Sequence, residues 1–185
     1  MNEYFKVNTR TIVATGIGAA IFMLLFMYVK VPSPIPETSF QTAYGLSAFF
    51  AALFGPIAGG LIAFIGHALS DGIQYGSPWW SWVIASGVSG VIFGFSYKRT
   101  RVEEGEFKVK DILTFNLIQL IGNVVAWVVV APVLDILIYQ EPSNLVFTQG
   151  ITAAIMNTIS AGVIGTLLLI AYAATRTKKG SLGKA

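Results

Sequence analysis

The sequence predicts an all-α integral membrane protein: one domain, residues 1–185, with six transmembrane helices and cytoplasmic N and C termini. Its 185 residues are 55% hydrophobic and 11% charged, with a mean hydropathy of +0.70. An ordinary soluble domain has about 45–50% apolar and about 25% charged residues. Long apolar runs recur along the whole chain, so no room remains for a soluble domain beside them.

The basic residues predict the orientation. Eleven of the twelve Lys and Arg residues lie near the N-terminus, between residues 98 and 110, or near the C-terminus, and Lys30 is the exception. Short loops rich in Lys and Arg stay in the cytoplasm, so an even number of crossings must separate these three regions. Residues 43–70 are too long for one span, and Gly55-Pro56 can turn the chain there. The predicted spans are residues 11–29, 43–54, 56–70, 80–97, 112–130 and 148–174.

The connections follow from composition. About 19 apolar residues follow Arg10, longer than the core of a signal peptide and without a cleavage motif, so this span is expected to remain in the protein. In "KVPSPIPETSF", residues 30–40, alternate prolines favour an extended outer loop of defined shape. The stretch at residues 98–110 is predicted to be a solvated cytoplasmic loop, and "APVLDILIYQEPSN", residues 131–144, is expected to lie outside the membrane.

The stretch "GHALSDGIQYGSPWWSW" contains the only histidine of the chain. His67 and Asp71 are four residues apart and therefore share one helix face. With no second histidine, no cysteine and only scattered carboxylates, a metal site is not expected. A hydrogen bond from His67 to a bound molecule or to Asp71 is the preferred interpretation, although Asp71-Gly72 is also compatible with a simple helix end.

The aromatic residues of the same stretch can be interpreted in two ways. Trp and Tyr are enriched where membranes meet water, so some of these rings are expected to be interfacial anchors. Trp79 and Trp82 share one helix face, and Trp80 points in another direction. Some of the rings can therefore point into the bundle while another anchors at the membrane surface. Rings of this kind, combined with a few polar groups, are typical of a pocket for a flat heteroaromatic molecule.

Polar stripes mark the fifth and sixth spans. Their members are Asn116, Gln119, Asn123 and Trp127 on the fifth span, and Gln149, Thr152, Ala153 and Asn157 on the sixth. Polar groups inside a bilayer are costly and usually face other helices or a ligand path. Hydrogen bonding between helices remains an equal alternative for Asn116, near the cytoplasmic side.

Together these patterns predict one pocket open to the exterior. The candidate substrate-binding residues are Glu37, His67, Asp71, Gln74, Tyr75, Trp79, Trp82, Gln119, Asn123, Trp127, Gln149 and Asn157. No outer arginine is present to hold a phosphate or large carboxylate, so a neutral or cationic heteroaromatic is favoured. Hydroxymethylpyrimidine, pyridoxine-like pyridines, thiamine and riboflavin all qualify, with a small single ring preferred.

The first span contains small residues spaced four apart, which let helices approach closely. The overlapping pairs in "ATGIGAA" include Ala14 with Gly18 and Gly16 with Ala20. These small residues could serve packing inside the bundle or docking of a partner protein, and the sequence leaves both alternatives open. We take Ala14, Gly16, Gly18 and Ala20 as the candidate docking residues.

The chain resembles the substrate-binding S component of an energy-coupling factor (ECF) vitamin transporter, closest to uncharacterised or riboflavin-type members. The resemblance rests on "ATGIGAA", "PSPIPETSFQTAYG", "FGPIAGGLIAFIGHALSDGIQYGSPWWSWVIASG" and the Asn-rich fifth span. It implies capture of a vitamin outside a prokaryotic cell membrane. It also implies a transmembrane coupling (T) subunit and two cytoplasmic ATPase subunits, with an A-x-x-x-A motif, here at Ala14 and Gly18 or the next pair, contacting the T subunit.

The remaining function classes differ in what they require. The chain has no phosphate-binding Gly-x-x-x-x-Gly-Lys-Ser/Thr motif, so ATP is expected to be used by the partner subunits, and no cofactor is expected in this chain. Nucleic acid is not an expected partner, because the basic residues flank apolar spans. A small channel or scaffold remains an alternative, as does, less favoured, an intramembrane serine hydrolase using His67 with Ser86 or Ser89.

Overall fold

The structure is a computed structural model that describes residue 5 and residues 7–177. Both chain ends, including Lys6, Lys178, Lys179 and Lys184, lie outside the described residues. The described chain is helical apart from one short pair of strands. Its main elements are α1 (Thr9–Tyr28), β1 (Lys30–Pro32), β2 (Ser39–Gln41), α2 (Ala43–Phe54), α3 (Pro56–Tyr75), α4 (Trp80–Phe93), α5 (Val109–Tyr139) and α6 (Ser143–Ala174).

The helices confirm the predicted fold class, an all-α membrane protein. Among the described residues, α1, α3, α5 and α6 are long and apolar enough to cross a bilayer. The helices at Ala43–Phe54 and Trp80–Ser96 are apolar but shorter. The count of six crossings and the cytoplasmic termini remain predictions.

Gly55 and Pro56 turn the chain between α2 and α3, at the point that the sequence predicts. Gly55 has φ 88° and ψ −177°, a conformation that glycine adopts without strain. Pro56 occupies the first turn of α3, where its missing N–H costs no helical hydrogen bond. The two helices therefore form a tight pair.

Close helix contacts depend on glycine. Gly59 of α3 and Gly90 of α4 face each other so closely that a Cβ on either would collide with the backbone of the other. Seven residues further along α3, a Cβ at Gly66 would lie 2.6 Å from a ring carbon of Phe22 in α1. Because these positions lack side chains, α3 packs backbone to backbone between its neighbours.

The proline-rich loop forms a β-hairpin that lies against α6. β1 and β2 pair antiparallel, with Lys30 opposite Gln41. Gln149 donates from Nε2 to the carbonyl of Pro36 at 3.1 Å, and the Ser160 hydroxyl donates to the carbonyl of Gln41 at 2.7 Å. Eleven residues of helix rise about 16 Å, so the hairpin runs from the N-terminal part of α6 towards its middle. Non-helical backbone at membrane depth is tolerated only inside protein or beside a cavity.

Helix α5 differs from the prediction at its C-terminal end. We expected a span at residues 112–130 followed by an outer segment, but the helix continues to Tyr139. Residues Val124–Val130 form a π-helical segment just before Pro132, which has no N–H to donate to the preceding turn. The continuation places Asp135 on a packed helix face, where it is only 2% exposed. Helices α3 and α6 are also longer than predicted, reaching Tyr75 and beginning at Ser143.

The loop before α5, which the sequence predicts to be cytoplasmic, is held by an acidic residue. Asp111 accepts hydrogen bonds from the guanidinium of Arg101 at 2.8 Å and from the backbone N–H of Lys108 at 3.0 Å. The N-terminal end of α1 is tied to the same loop by an ion pair between Arg10 and Glu103 at 3.2 Å. The loop predicted to be simply solvated is thus anchored to two helices.

Candidate ligand-binding site

An aromatic cluster joins α2, α4 and α5 in the interior of the bundle. Trp127 of α5 is 1% exposed. Its ring lies edge-on to Tyr44 of α2, with centroids 5.2 Å apart, and stacks on Trp82 of α4 at 5.7 Å with planes 24° apart. Tyr44 also contacts Phe22 and Phe26 of α1. Rings from four helices therefore meet around Tyr44 and Trp127.

The polar stripe of α5 forms a hydrogen-bonded ladder that ends at this cluster. Trp127 donates from Nε1 to Asn123 Oδ1 at 3.0 Å, and Asn123 donates from Nδ2 to Gln119 Oε1 at 2.9 Å. Gln119 in turn donates to Asn116 Oδ1 at 3.3 Å, and Asn116 donates to Thr166 of α6 at 3.0 Å. The ladder fixes the Trp127 ring, and Asn116 makes the interhelical bond considered from the sequence.

His67 belongs to a second polar chain, which crosses from α3 to α2. Its Nδ1 is hydrogen-bonded to Ser86 Oγ at 2.6 Å, and the same hydroxyl is hydrogen-bonded to Tyr44 Oη at 2.8 Å. On the other side of the ring, His67 Nε2 lies 3.4 Å from Asp71 Oδ1. The histidine is therefore held by protein groups on both nitrogens. The described residues contain no group of three or more potential metal ligands.

Asp71, His67 and Ser86 stand in the order of a hydrolase triad. Ser86 is completely buried, and its hydroxyl also contacts Tyr44. It lies inside α4, where helical hydrogen bonds occupy the backbone N–H groups that would otherwise stabilise an oxyanion. In this arrangement the Ser86 hydroxyl is closed off from solvent, and its hydrogen-bond partners are Tyr44 and His67.

Asp135 is a buried acid that the sequence analysis did not include. It accepts hydrogen bonds from Trp79 Nε1 at 2.7 Å, from Trp82 Nε1 at 2.6 Å and from the Ser81 hydroxyl. Asp71 accepts one from the backbone N–H of Trp79 at 3.1 Å. Two carboxylates thus fix the chain that leads into α4. The spacing of eight residues from Trp127 would have placed Asp135 on the same face, had the helix been continued past Val130.

The outer edge separates the predicted aromatic residues. Tyr75 is 70% exposed and Trp80 44%, so both point away from the cluster. Trp79 is 42% exposed and packs on Tyr139, with ring centroids 4.4 Å apart. Gln74 bonds to Ser70 Oγ and accepts a hydrogen bond from Lys30. Glu37 is exposed at the hairpin tip. Of the predicted residues at this edge, Trp82 is the one that enters the ring cluster.

The hairpin and α6 bury polar atoms without partners. Gln41 Oε1 and Asn157 Oδ1 have no hydrogen bond in the structure, and their residues are 8% and 3% exposed. The carbonyl of Gln41 is bonded to Ser160, which lies three residues along α6 from Asn157. Asn157 lies on the buried face of α6, which also carries Gly150, packed against the Trp127 carbonyl. Buried polar atoms without partners are uncommon and point to a missing contact.

Helices α5 and α6 each contain a π-helical segment close to residues of the candidate site. One, Val124–Val130, contains Trp127 and follows Asn123, and the other, Ala161–Gly165, follows Ser160. Such segments are rare and frequently occur at functional sites. The irregular parts of α5 and α6 therefore coincide with the candidate site.

The small residues of α1 fall on two faces. Ala14 and Gly18 are buried, and a Cβ at Gly18 would lie 2.6 Å from Ile62 Cδ1 in α3. Gly16 and Ala20 are exposed, and a Cβ at Gly16 would meet nothing within 4 Å. The first pair thus packs inside the bundle, and the second pair lies on its exposed surface.

The chain is similar to a known family of membrane transport proteins. Residues 6–174 match the family described as the ECF-type riboflavin transporter, S component. The UPF0397 protein of Enterococcus faecalis is 52% identical over 97% of this chain and 98% of its own. The UPF0397 protein of Streptococcus gordonii is 54% identical over 95% of this chain and 94% of its own. That of an Exiguobacterium species is 56% identical over 98% of both chains. The chain therefore belongs to the S component family of ECF-type riboflavin transporters, the membrane subunits that bind substrate for ECF transporters.

Proposed function

We propose that this S component captures a small heteroaromatic vitamin or vitamin precursor between the hairpin and the outer halves of α3–α6. Hydroxymethylpyrimidine or a pyridoxine-like pyridine is favoured, and thiamine and riboflavin, the substrate in the family's description, are also compatible. The observation that carries the proposal is the pair of buried amide oxygens without partners, Gln41 Oε1 and Asn157 Oδ1, in a bundle whose interior also holds the ring pair of Tyr44 and Trp127. Rings supply stacking surface, and a few polar groups fix orientation.

The hairpin supports this assignment. Its backbone is bonded to α6 through Gln149 and Ser160, and its own Gln41 carries one of the two buried acceptors. Hairpin withdrawal would open a path to the cluster. Two hydrogen bonds and a short strand pair oppose that movement, so the hairpin is suited to open for a ligand and close over it.

Transport requires partners. We assign the T-subunit contact to the exposed small residues of α1, Gly16 and Ala20, since the other pair of the motif packs against α3. Membership of the family implies a T subunit and two ATPase subunits, which would hydrolyse ATP, with no cofactor in this chain. The multi-pass protein would then reside in the cell membrane.

The test is identification of the ligand. The full chain is purified in mild detergent, and small molecules released by denaturation are identified by mass spectrometry. Binding of the four candidate vitamins is then measured from tryptophan fluorescence, because Trp82 and Trp127 lie in the cluster. We expect one heteroaromatic compound in stoichiometric amount. Recovery of no small molecule, with no binding by any candidate, would contradict the proposal.

A further inference from the structure

Two buried side-chain amides make no hydrogen bond to any described residue. Gln41 and Asn157 are 8% and 3% exposed, and neither amide oxygen has a partner. The amide nitrogens have no partner among the described residues either. The hydrogen bonds that link the hairpin to α6 use the backbone carbonyls of Pro36 and Gln41 instead.

The ladder of α5 shows how buried amides are normally satisfied. Gln119 and Asn123 bond to each other, and each also bonds to the next member of the ladder. The oxygen and the nitrogen of both amides are therefore used, as is usual for buried polar groups. Gln41 and Asn157 depart from this rule.

The hydroxyl that joins the hairpin to α6 cannot supply the missing bonds. Ser160 lies three residues along α6 from Asn157, and its one hydrogen goes to the backbone carbonyl of Gln41 at 2.7 Å. It also accepts a hydrogen bond from the backbone N–H of Gly45 at 3.2 Å. The two amide oxygens therefore still need donors, and the two amide nitrogens still need acceptors.

A side-chain amide carries a hydrogen-bond acceptor and a donor side by side. Its complement is a planar edge on which a donor stands next to an acceptor. Asn and Gln bind the N6 and N7 edge of adenine through two such hydrogen bonds. The same kind of edge occurs in aminopyrimidines, where an amino group is next to a ring nitrogen, and in lactams, where an N–H is next to a C=O.

We propose that the ligand presents an edge of this kind to the side-chain amides of Gln41 and Asn157. The inference rests on the proposed function, in which the hairpin that carries Gln41 opens and closes over the ligand, and it narrows the substrate class. Hydroxymethylpyrimidine and thiamine have an aminopyrimidine edge, and riboflavin has a lactam edge. Pyridoxine is disfavoured, because its ring nitrogen lies between a C–H and a methyl-bearing carbon and has no donor beside it.

The first experiment varies the ligand. The affinities of the full-length protein in detergent for hydroxymethylpyrimidine, thiamine, riboflavin and pyridoxine are measured by titration calorimetry. The tightest binder is then compared with an analogue whose edge is blocked by N-methylation, the dimethylamino form of a pyrimidine or 3-methylriboflavin. We expect the tightest binder to be one of the first three compounds. Methylation should weaken its binding at least about tenfold, the loss of one hydrogen bond to a buried group.

The second experiment locates the effect on the protein. Asn157→Leu and Gln41→Met keep the approximate size of each side chain and remove its amide, and Asn144→Leu, at an exposed position of the same helix, is the matched control. Either amide variant should weaken binding of the unblocked compound at least about fivefold. It should also reduce the penalty of methylation, because both changes remove the same hydrogen bonds. A steric penalty would persist, and the control should change neither affinity.

The outcomes separate the two proposals. The edge inference is overturned, and vitamin capture stands, if pyridoxine binds most tightly, if a compound without such an edge co-purifies, or if N-methylation has no effect. A methylation penalty that is unchanged in both amide variants overturns it as well. If a variant does not fold, the comparison of blocked and unblocked compounds on the unmodified protein decides alone. If no probe binds and no small molecule accompanies the purified chain, the capture function fails and this inference fails with it.

Discussion

Tyr44 and His67 share the hydroxyl of Ser86, at 2.8 Å from Tyr44 Oη and 2.6 Å from His67 Nδ1. Replacing Ser86 with Ala leaves two buried polar groups without a partner, whereas Tyr44→Phe removes only one hydrogen bond. We expect Ser86→Ala to lower the stability by about 1–3 kcal/mol and Tyr44→Phe by about 1 kcal/mol. Thermal unfolding in detergent measures both. A larger effect from Tyr44→Phe would contradict the central position of Ser86.

The same hydroxyl decides the hydrolase alternative. Because Ser86 is fully buried, we expect no covalent labelling by a fluorophosphonate probe under native conditions. The measurement is mass spectrometry of the intact chain after incubation, with a soluble serine hydrolase as the positive control. Labelling at Ser86 that disappears in Ser86→Ala would favour the hydrolase reading.

Removal of the Asp135 side chain should loosen the outer end of α4. Asp135→Ala leaves the Ser81 hydroxyl, itself fully buried, and the indole of Trp82 without their acceptor. The expected loss is about 2 kcal/mol, together with a red shift of tryptophan emission as the rings gain access to water. Glu141→Ala serves as the control. Unchanged emission and melting temperature would show that Asp135 does not hold the two rings.

Adding even one methyl group at the α3–α4 contact should destabilise the protein. A Cβ at Gly90 would collide with the Gly59 carbonyl, so we expect Gly90→Ala to cost about 1–3 kcal/mol. Gly72→Ala, in the same helix pair but with open space around its Cβ, should be neutral or stabilising by up to about 1 kcal/mol. Melting temperatures of the two variants distinguish them. Equal behaviour would mean that the helices can separate at little cost.

The two faces of α1 should respond differently to a bulky residue. Gly16→Leu projects into open space, so we expect normal folding and ligand binding but loss of co-purification with the T subunit. Gly18→Leu collides with Ile62 and Phe50 and should lower the melting temperature instead. Co-expression with the T and ATPase subunits, followed by affinity purification, gives the readout. Normal assembly of Gly16→Leu would place the docking surface elsewhere.

The sequence predicted much of this arrangement because its signals are local. Apolar run lengths and Gly55-Pro56 each act within a few residues, and the polar stripe of α5 follows from helical spacing alone. The ladder from Asn123 to Trp127 is accordingly found where the spacing placed it.

The unpredicted parts depend on contacts between distant segments. Asp135 looked like part of an exposed segment because Pro132 and polar residues suggested a helix end, whereas packing on α4 and α6 maintains the helix. Tyr44 gave no signal, since an interior tyrosine differs from an apolar residue only when its hydroxyl finds a partner. The depth of the hairpin also depends on one remote bond, from Ser160 to Gln41.

The unequal lengths of the helices affect how the protein sits in lipid. α2 has 12 residues and α6 has 32, which correspond to about 18 Å and about 48 Å against a hydrocarbon layer of about 30 Å. No single orientation can satisfy both, so the surrounding bilayer must thin on one side or the bundle must lean. Since such hydrophobic mismatch costs only a fraction of a kcal/mol per Å, a change in the tilt of the bundle would change its free energy in the bilayer only slightly.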